Sequence, residues 1–454
     1  MGRAEKYNFK LKRAFNNVHK HSGEEKKKNR IEFHRATKPS TRFIVGDLDR
    51  PKDNEYGNKR SEDSLGVLQK KAESKKPSNK SKLEKVLNLP SDSESICKGK
   101  PVWGLQKWAS VKRIGPGFYN LGNTCFLNST LQCLAYVPAL SQYLMKGFHS
   151  KHQQKHGGGG HRPQGFNVMV AMEQLVTRVH MGSKQGGPIS PKALVANVRA
   201  LGRQFRVGRQ EDAQEFLCHL LDAMVKTELR RARVKENATG PNGERISETT
   251  AIHRIFGGYL RNQVKCPECG YCSETFNQTM DLSLELTGGT QSLQQAYSHF
   301  SRREKLDSAN RWRCDECRKQ VCATKQLTLY AAPAVLCVQF KRFAYGGFGG
   351  KIQRPISYPE TLNLKVSGPE KEVKYNLCGV VVHLGGSVHG GHYYAFVKAA
   401  NGVWHHMDDS SVRQVGRGLV LQQPAYLLFY ARDPMDVPLP VRRAAAAAAE
   451  REEE

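Results

Sequence analysis

Apolar residues recur at helical spacing in the first half of the chain. One stretch has them at intervals of three and four: Phe126, Leu127, Leu131, Leu134 and Ala135. This spacing predicts an amphipathic helix that starts next to Cys125. Asn123 or Thr124 is suited to cap the helix, and Pro138 would end it.

A second apolar stripe accompanies the acidic residues Asp212 and Glu215. Its members are Ala213, Phe216, Leu217, Leu220, Leu221, Met224 and Val225. The stripe predicts a second amphipathic helix. Because Asp212 and Glu215 are three positions apart, we expect both carboxylates to project from one side of it. The alternative is that they form surface ion pairs with Arg209 or Lys226.

The second half of the chain is patterned for strands. Continuous apolar runs predict buried strands at residues 335–338, 379–382 and 426–429. Asn401-Gly402 is a strong hairpin signal, and the hairpin it predicts would return Asp408 to the neighbourhood of His392. With helices before about residue 229 and strands after about residue 255, the pattern predicts an α+β fold with a cleft between a helical lobe and a sheet lobe.

The two ends of the chain differ from this core. Residues 1–100 carry 26 basic and 14 acidic residues and few aromatics, a composition typical of disorder. The last residues are an alanine run followed by acidic residues. We therefore divide the chain into a basic N-terminal region (1–112), a catalytic domain (113–433, with a subdomain at about 255–330) and a low-complexity tail (434–454).

Cys125 is a candidate nucleophile. In the first turn of a helix, unpaired backbone N–H groups and the helix dipole favour a thiolate over a thiol. The alternative is a small buried hydrophobe, as most free cysteines are. The glycine and asparagine residues before Cys125 favour the catalytic interpretation, because a core helix does not need them at its entry.

His392 is the candidate base, and Asp408 is placed to orient its imidazole, with Asp409 as the alternative carboxylate. Four further histidines, which we interpret as structural or rim residues, compete for the role of base: His383, His389, His405 and His406.

The cysteines of two Cys-x-x-Cys pairs are candidate metal ligands: Cys266, Cys269, Cys314 and Cys317. Two such pairs complete a closed tetrahedral zinc site, which has no open position for a catalytic water. The 44 residues between the pairs exceed the spacing of a compact zinc ribbon, and disulfides are the alternative. Cys272 and Cys322 break the pairing pattern and are predicted not to be ligands.

These motifs together resemble the ubiquitin-specific protease family of deubiquitinating enzymes. Residues 117–128 match its Cys box, and residues 375–383, 391–393, 404–409 and 425–430 match its His box. Residues 210–217 resemble its glutamine-rich box, and residues 333–343 its central strand. The resemblance covers about residues 115–432. Residues 256–261 and 420–426 are similar to the nucleolar branch of that family.

The resemblance implies a papain-like cysteine peptidase with a thumb, a palm and zinc-bearing fingers. It implies that Cys125 is the nucleophile, that His392 is the base and that Asn120 donates to the oxyanion. Asp212 and Glu215 would bind the arginines of ubiquitin's tail, and Tyr393 would narrow the channel for its two glycines. It implies one structural zinc ion and no catalytic cofactor.

Composition adds expectations about partners and location. The net charge of +29 favours non-specific association with RNA, ribosomal particles or chromatin. The residues Lys26-Lys27-Lys28 with Arg30 resemble a nuclear localisation signal. With no apolar signal run and paired cysteines, we expect an intracellular protein without membrane attachment, in the nucleus or nucleolus. Two alternative functions stay open: a catalytically silent ubiquitin-binding scaffold, and a basic zinc protein that binds RNA.

Overall fold

The structure is a computed structural model, and it describes residues 105–156, 165–182, 187–239, 245–343, 350–387 and 390–436. Most of the predicted N-terminal region and the end of the predicted tail lie outside these residues. The domain boundaries proposed at residues 112 and 433 therefore stay predictions.

The helical lobe comes first in the chain. Its helices are α1 (Cys125–Ala135), α2 (Pro138–Met145), α3 (Phe148–His156), α4 (Val168–Met181), α5 (Lys192–Ala196), α6 (Val198–Leu201), α7 (Ala213–Arg231) and α8 (Ala251–Phe256). The helix α1 ends at Ala135, three residues before Pro138. Pro138 occupies the first turn of α2, where its missing N–H is not needed. The predicted apolar stripes of α1 and α7 are fully buried.

The strands follow, with two short helices among them. They are β1 (Gly258–Lys265), β2 (Cys272–Thr279), β3 (Leu282–Glu285), α9 (Leu293–Phe300), β4 (Arg303–Lys305), β5 (Trp312–Arg313), β6 (Gln320–Val321), β7 (Thr324–Ala331), β8 (Val335–Lys341), β9 (Thr361–Lys365), β10 (Glu372–Ser387), β11 (Gly390–Lys398), β12 (Trp404–Asp408), β13 (Ser411–Val415), α10 (Arg417–Leu421) and β14 (Ala425–Arg432).

Eight strands form the main sheet, in the order β13-β12-β11-β10-β14-β8-β3, with β9 paired to β10. The pairing is antiparallel except between β3 and β8. The predicted hairpin at Asn401-Gly402 joins β11 to β12, where Gly402 has a φ of 82°. The three apolar runs predicted as buried strands correspond to β8, to β14 and to the middle of β10, and all three are largely buried.

Side-chain alternation gives the sheet two covered faces. Val381 and Ala395 face the helical lobe, where α1 packs on β10, β11 and β12. Val380 and Phe396 face the opposite core, which Leu293 of α9 also enters. Because α1 lies against the sheet, its first residue is held at the boundary between the two lobes. Helices and strands are segregated along the chain, so the α+β fold is confirmed.

A separate sheet of four strands, in the order β2-β1-β7-β4, extends from the main one and carries the small β5–β6 ribbon. We call this sheet with its ribbon the fingers. Within the described residues, no helix has both the length and the apolar character needed to cross a bilayer.

Candidate active site

Cys125 is the first residue of α1 and is 1% exposed. The loop before it is held by Asn120, whose Oδ1 accepts hydrogen bonds from the backbone N–H groups of Gly122 and Thr124 at 3.1 Å. Thr124 holds the N-cap position, as predicted, but its side chain makes no capping hydrogen bond. Its hydroxyl oxygen instead accepts from the N–H of Leu121 at 2.9 Å, which leaves the first N–H groups of α1 free of a side-chain cap.

The imidazole of His392 lies between the Cys125 thiol and a carboxylate. Its Nε2 is 2.7 Å from Oδ1 of Asp408. A hydrogen bond with the Cys125 side chain raises the pKa of His392 to about 9. Partial burial opposes this increase in the pKa, and Asp408 adds to it. The predicted hairpin thus brings Asp408 to the imidazole, and the packing of α1 on β11 brings the imidazole to the thiol.

Asp409 has different partners from Asp408. Its Oδ2 accepts from Nδ2 of Asn120 at 2.9 Å, and its Oδ1 accepts from Nδ2 of Asn128 at 2.8 Å. Its backbone oxygen accepts from the N–H of Phe118 at 2.7 Å. Asp409 therefore fixes the loop before the nucleophile, and of the two candidate carboxylates it is Asp408 that contacts the imidazole.

Two glycines allow these close approaches. A Cβ atom at Gly117 would lie 2.5 Å from the backbone oxygen of Asp409. Gly391 has a φ of 153°, and a Cβ atom there would overlap the carbonyl oxygen of Leu384. A larger residue at either position would displace the loop or the imidazole of His392.

The glutamine-rich segment is arranged differently from the prediction. Asp212 is not in the helix but is the N-cap of α7, and its Oδ1 accepts from the N–H groups of Gln214 and Glu215. Its Oδ2 accepts from the hydroxyl of Tyr426, and burial raises its pKa. Asp212 is 5% exposed, whereas Glu215 is exposed. The two carboxylates therefore do not share one open helix face, because the first satisfies the helix terminus.

The alternative of surface ion pairs is also wrong within the described residues. Lys226 pairs with Asp222 at 2.9 Å and with Glu236 at 3.8 Å. The exposed carboxylate of Glu215 instead accepts a hydrogen bond from the amide of Gln204 at 2.9 Å.

Tyr393 is 1% exposed and faces the core rather than the cleft surface. Its ring packs on His383 with centroids 4.5 Å apart and on Tyr426 at 6.1 Å. Burial lowers the pKa of His383 to about 4, so its ring is neutral. His405 is also buried and His406 is half-buried beside Tyr394, while His389 lies outside the described residues.

Two contributors to the site were missed by the sequence analysis. Asn128 is three positions after Cys125 and so shares its helix face, a spacing that could have indicated it. Gln210 donates from its side-chain amide to the carbonyl oxygen of Gly391, and it thereby links the helical lobe to the residue before His392. Nothing in the local sequence pattern indicated the contact made by Gln210.

The four predicted ligand cysteines meet in the fingers. Their sulfur atoms all lie within 4.8 Å of one another, with Cys266 3.9 Å from Cys317 and Cys269 3.6 Å from Cys314. A tetrahedral zinc ion with Zn–S bonds of about 2.3 Å requires sulfur atoms about 3.8 Å apart. None of the four is in a disulfide. The donor set and its spacing fit zinc.

The backbone of the two Cys-x-x-Cys turns supports this arrangement. The N–H groups of Cys266 and Cys314 donate to carbonyl oxygens five residues later in the chain. The residue after each pair, Gly270 or Arg318, has a positive φ, 72° and 60° respectively. The backbone N–H of Cys269 lowers the pKa of the Cys266 thiol, whereas burial and the three neighbouring thiols raise the pKa of Cys269. Without a metal, the cluster therefore favours one thiolate first, at Cys266, and a bound cation would favour the others. Cys272 and Cys322 lie outside the cluster.

A thiol at a helix N-terminus, an imidazole on the facing sheet and a carboxylate beyond it define a papain-like thiol hydrolase. Residues 116–430 match the family model described as ubiquitin carboxyl-terminal hydrolase. The chain therefore belongs to the ubiquitin carboxyl-terminal hydrolases of the ubiquitin-specific protease type, which are deubiquitinating thiol proteases.

Curated relatives support this membership. The chain is 40% identical over 331 residues to the probable ubiquitin carboxyl-terminal hydrolase 16 of Schizosaccharomyces pombe, covering 72% of this chain and 68% of that protein. It is 39% identical to the human ubiquitin carboxyl-terminal hydrolase 42, of which it covers 24%. It is 37% identical to the Arabidopsis thaliana ubiquitin carboxyl-terminal hydrolase 23, of which it covers 43%. The last two relatives are thus much longer than the matched region.

Solved structures agree with the fold. The SAGA Ubp8/Sgf11/Sus1/Sgf73 DUB module bound to ubiquitin aldehyde contains a chain with a TM-score of 0.59 and 26% identity, and the match covers 71% of both chains. The same module bound to monoubiquitin matches with a TM-score of 0.59 and 27% identity over 72% of both chains.

Proposed function

We propose that this chain hydrolyses the peptide or isopeptide bond after the C-terminal glycine of ubiquitin, with Cys125 as the nucleophile. The observation that carries the proposal is the linked set of Cys125, His392 and Asp408 at the lobe boundary, in a member of a family of ubiquitin hydrolases.

The first half-reaction forms a thioester. The sulfur of Cys125, as a thiolate paired with the His392 imidazolium, attacks the carbonyl carbon of the last glycine. The imidazolium then gives its proton to the departing lysine amine as the C–N bond breaks. Asp408 holds the imidazole in orientation through the hydrogen bond to Nε2.

The oxyanion of each tetrahedral intermediate needs a donor. Asn120 uses one amide hydrogen toward Asp409, and its other amide hydrogen is available to the developing oxyanion. In the second half-reaction neutral His392 takes a proton from water, and the resulting hydroxide cleaves the thioester. Ubiquitin leaves with a free carboxylate and Cys125 is restored.

The exposed carboxylate of Glu215 is placed to receive an arginine of the ubiquitin tail through a charge-assisted hydrogen bond. Asp212 contributes by capping α7 and so fixing the position of Glu215. Tyr393 fixes the strand that carries His392, because its ring packs against His383 and Tyr426.

Ubiquitin carrying a C-terminal electrophile tests this proposal. Wild-type protein is expected to gain the mass of one ubiquitin, and Cys125→Ala is expected to gain none, as read by intact mass spectrometry. Cys218→Ala removes another partly accessible thiol and is the matched control, so it should react like wild type.

Absence of the adduct in folded wild type, or its persistence in Cys125→Ala, would contradict the proposal. If the wild type binds ubiquitin without reacting, the chain is a binding scaffold. If it binds RNA but not ubiquitin, the alternative of a basic zinc protein holds.

The raised pKa of His392 predicts the alkaline limit of activity. A protonated imidazole is needed to protonate the leaving amine, so kcat/KM is expected to fall as pH rises through about 9. The Asp408 carboxylate is one cause of the high pKa. In Asp408→Asn the alkaline limb, which is the fall in kcat/KM with rising pH, should therefore move to lower pH. The measurement is kcat/KM for a ubiquitin amide across the alkaline range. An unmoved limb would show that Asp408 does not act on the imidazole charge.

The four-cysteine cluster of the fingers is proposed to hold one structural zinc ion. Cys266, Cys269, Cys314 and Cys317 would supply four thiolates and leave no position for substrate. Native mass spectrometry should find one zinc per chain, and a metal-free folded protein would contradict this.

Nuclear residence is a further proposal, and its support is the basic cluster at residues 26–30. A fluorescent fusion should lose nuclear enrichment when these lysines become glutamines. Association with RNA or ribosomal particles rests on net charge alone and stays a prediction.

A further inference from the structure

The segment before the glutamine-rich box carries three arginines and no acidic residue. We call residues 203–209 the arginine turn. Arg203, Arg206 and Arg209 are exposed, and Val207 between them is 57% exposed. In the part of the chain that the structure describes, no carboxylate forms an ion pair with these three guanidinium groups. The turn is thus a concentration of positive charge whose guanidinium groups have no ion-pair partner among the described residues.

Contacts on either side fix the turn beside the nucleophile. Asn123 lies two residues before Cys125, and its side-chain amide donates to the carbonyl oxygen of Gly208 at 2.8 Å. Gly208 has a φ of 85°, and the N–H of Arg209 donates to the carbonyl oxygen of Arg206 at 3.3 Å. The backbone of the turn is therefore anchored to the loop that carries the thiol.

The rest of the turn is held from the helix that follows. The amide of Gln204 contacts Oε1 of Glu215 at 2.9 Å and the ring of His219 at 2.7 Å. Phe205 is fully buried and packs on Phe126 of α1. Because Gln204 is hydrogen-bonded to α7 and Phe205 is buried, the backbone of the turn is fixed and the arginine side chains are directed outward. Binding then orders the arginine side chains and not the backbone of the turn.

The sign of the charge distinguishes the three arginines from Glu215, which adjoins the turn through Gln204 and is the proposed contact for the ubiquitin tail. Acidic residues begin at Glu211 and continue with Asp212 and Glu215. A tail that carries arginines is attracted to Glu215 and repelled by the arginine turn. An acidic partner has the opposite preference. The turn therefore suits a partner other than the tail, at a place that touches the nucleophile loop.

We propose that the arginine turn binds an aspartate- and glutamate-rich segment of the conjugated protein, next to the lysine that carries ubiquitin. This inference rests on the proposed function, because it assigns a preference on the leaving-group side of the same bond. Guanidinium groups pair with carboxylates in a bidentate manner and steer acidic partners at low ionic strength.

Two ubiquitylated peptides of equal length test the proposal. In one the modified lysine is flanked by aspartate and glutamate, and in the other by asparagine and glutamine. For wild type the ratio of kcat/KM values, acidic over neutral, is expected to be about 10 at low ionic strength and to approach 1 as salt is raised. The triple variant Arg203→Gln/Arg206→Gln/Arg209→Gln should have a ratio near 1 at all salt concentrations.

A matched control removes the same formal charge elsewhere on the helical lobe. Lys151→Gln/Lys155→Gln/Lys235→Gln changes three exposed lysines and should keep the wild-type ratio. Equal rates on the two peptides in wild type, or an unchanged ratio in the arginine variant, would overturn the inference. If the arginine variant loses binding to a uracil homopolymer while wild type does not distinguish the peptides, the turn binds nucleic acid instead.

Failure of the underlying function has a different signature. Ubiquitin with a small fluorogenic amide at its C-terminus has no flanking residues. If wild type does not hydrolyse it, the proposed function fails. If wild type hydrolyses it but shows no preference between the peptides, only the role of the arginine turn is lost.

Discussion

Asparagine is expected to substitute for aspartate at position 408 with a modest loss of activity, and to fail at position 409. Asp408 accepts one hydrogen bond, from Nε2 of His392, and an asparagine carbonyl can still accept it, although without the charge that stabilises the imidazolium. Asp409 accepts two, from the amide groups of Asn120 and Asn128. An asparagine there would offer one carbonyl oxygen and would turn its own NH₂ group toward the second donor.

The losses of activity at positions 408 and 409 should also have different causes. Asp409→Asn misplaces Asn120, and loss of an oxyanion donor typically lowers kcat by about 100–1000-fold. The alkaline limb of kcat/KM should stay near its wild-type position, because His392 keeps its partners. Steady-state kinetics of Asp408→Asn, Asp408→Ala, Asp409→Asn and Asp409→Ala would separate the roles. Full activity in Asp409→Asn would show that Asn120 does not depend on this carboxylate.

Loss of one fingers cysteine is expected to have the second large effect. Cys314 is fully buried, and Cys314→Ser removes one of four proposed metal ligands. Zinc binding to small structural sites contributes about 10–16 kcal/mol, most of which is folding free energy. Among the described residues, the local core around the cluster contains Val321 and Ala323 besides the two buried cysteines, with partly buried neighbours. It cannot hold the ribbon together without the metal.

Zinc content, thermal unfolding and KM would measure this effect. Cys314→Ser should lose the metal and an early unfolding transition should appear. KM for ubiquitin substrates should rise by about tenfold or more, equal to about 1.4 kcal/mol of binding. Cys322→Ser lies outside the cluster and is the control. A zinc-free Cys314→Ser protein with a wild-type melting curve would exclude a structural metal.

The sequence predicted what depends on local pattern. The helix at Cys125, the hairpin at Asn401-Gly402 and the buried strand β14 follow from spacing and turn residues alone. The hairpin was enough to bring Asp408 near His392, because the two residues lie on neighbouring strands. The α+β architecture followed from the order of these elements.

Other parts of the site depend on contacts that no local pattern contains. Asp409 reaches Asn120 across 289 positions, and Tyr426 reaches Asp212 across 214. These pairs depend on how α1 packs on the main sheet and how α7 packs on α1, which tertiary contacts decide. Asp212 was misassigned because the same sequence suits a helix face and an N-cap. Its burial under Tyr426 decides in favour of the cap.

The distance along the chain between thiol and imidazole also sets when this molecule can act. Positions 125 and 392 are separated by 267 residues, 392 minus 125. At about 5–20 residues per second, a ribosome needs roughly 13–50 s to add the second after the first. During that time the nascent chain has a nucleophile but no base, no Asp409 to order its loop and no β11 for α1 to pack against. A prematurely terminated product that lacks His392 would likewise have no hydrolase activity. An incomplete chain therefore cannot remove ubiquitin from other proteins.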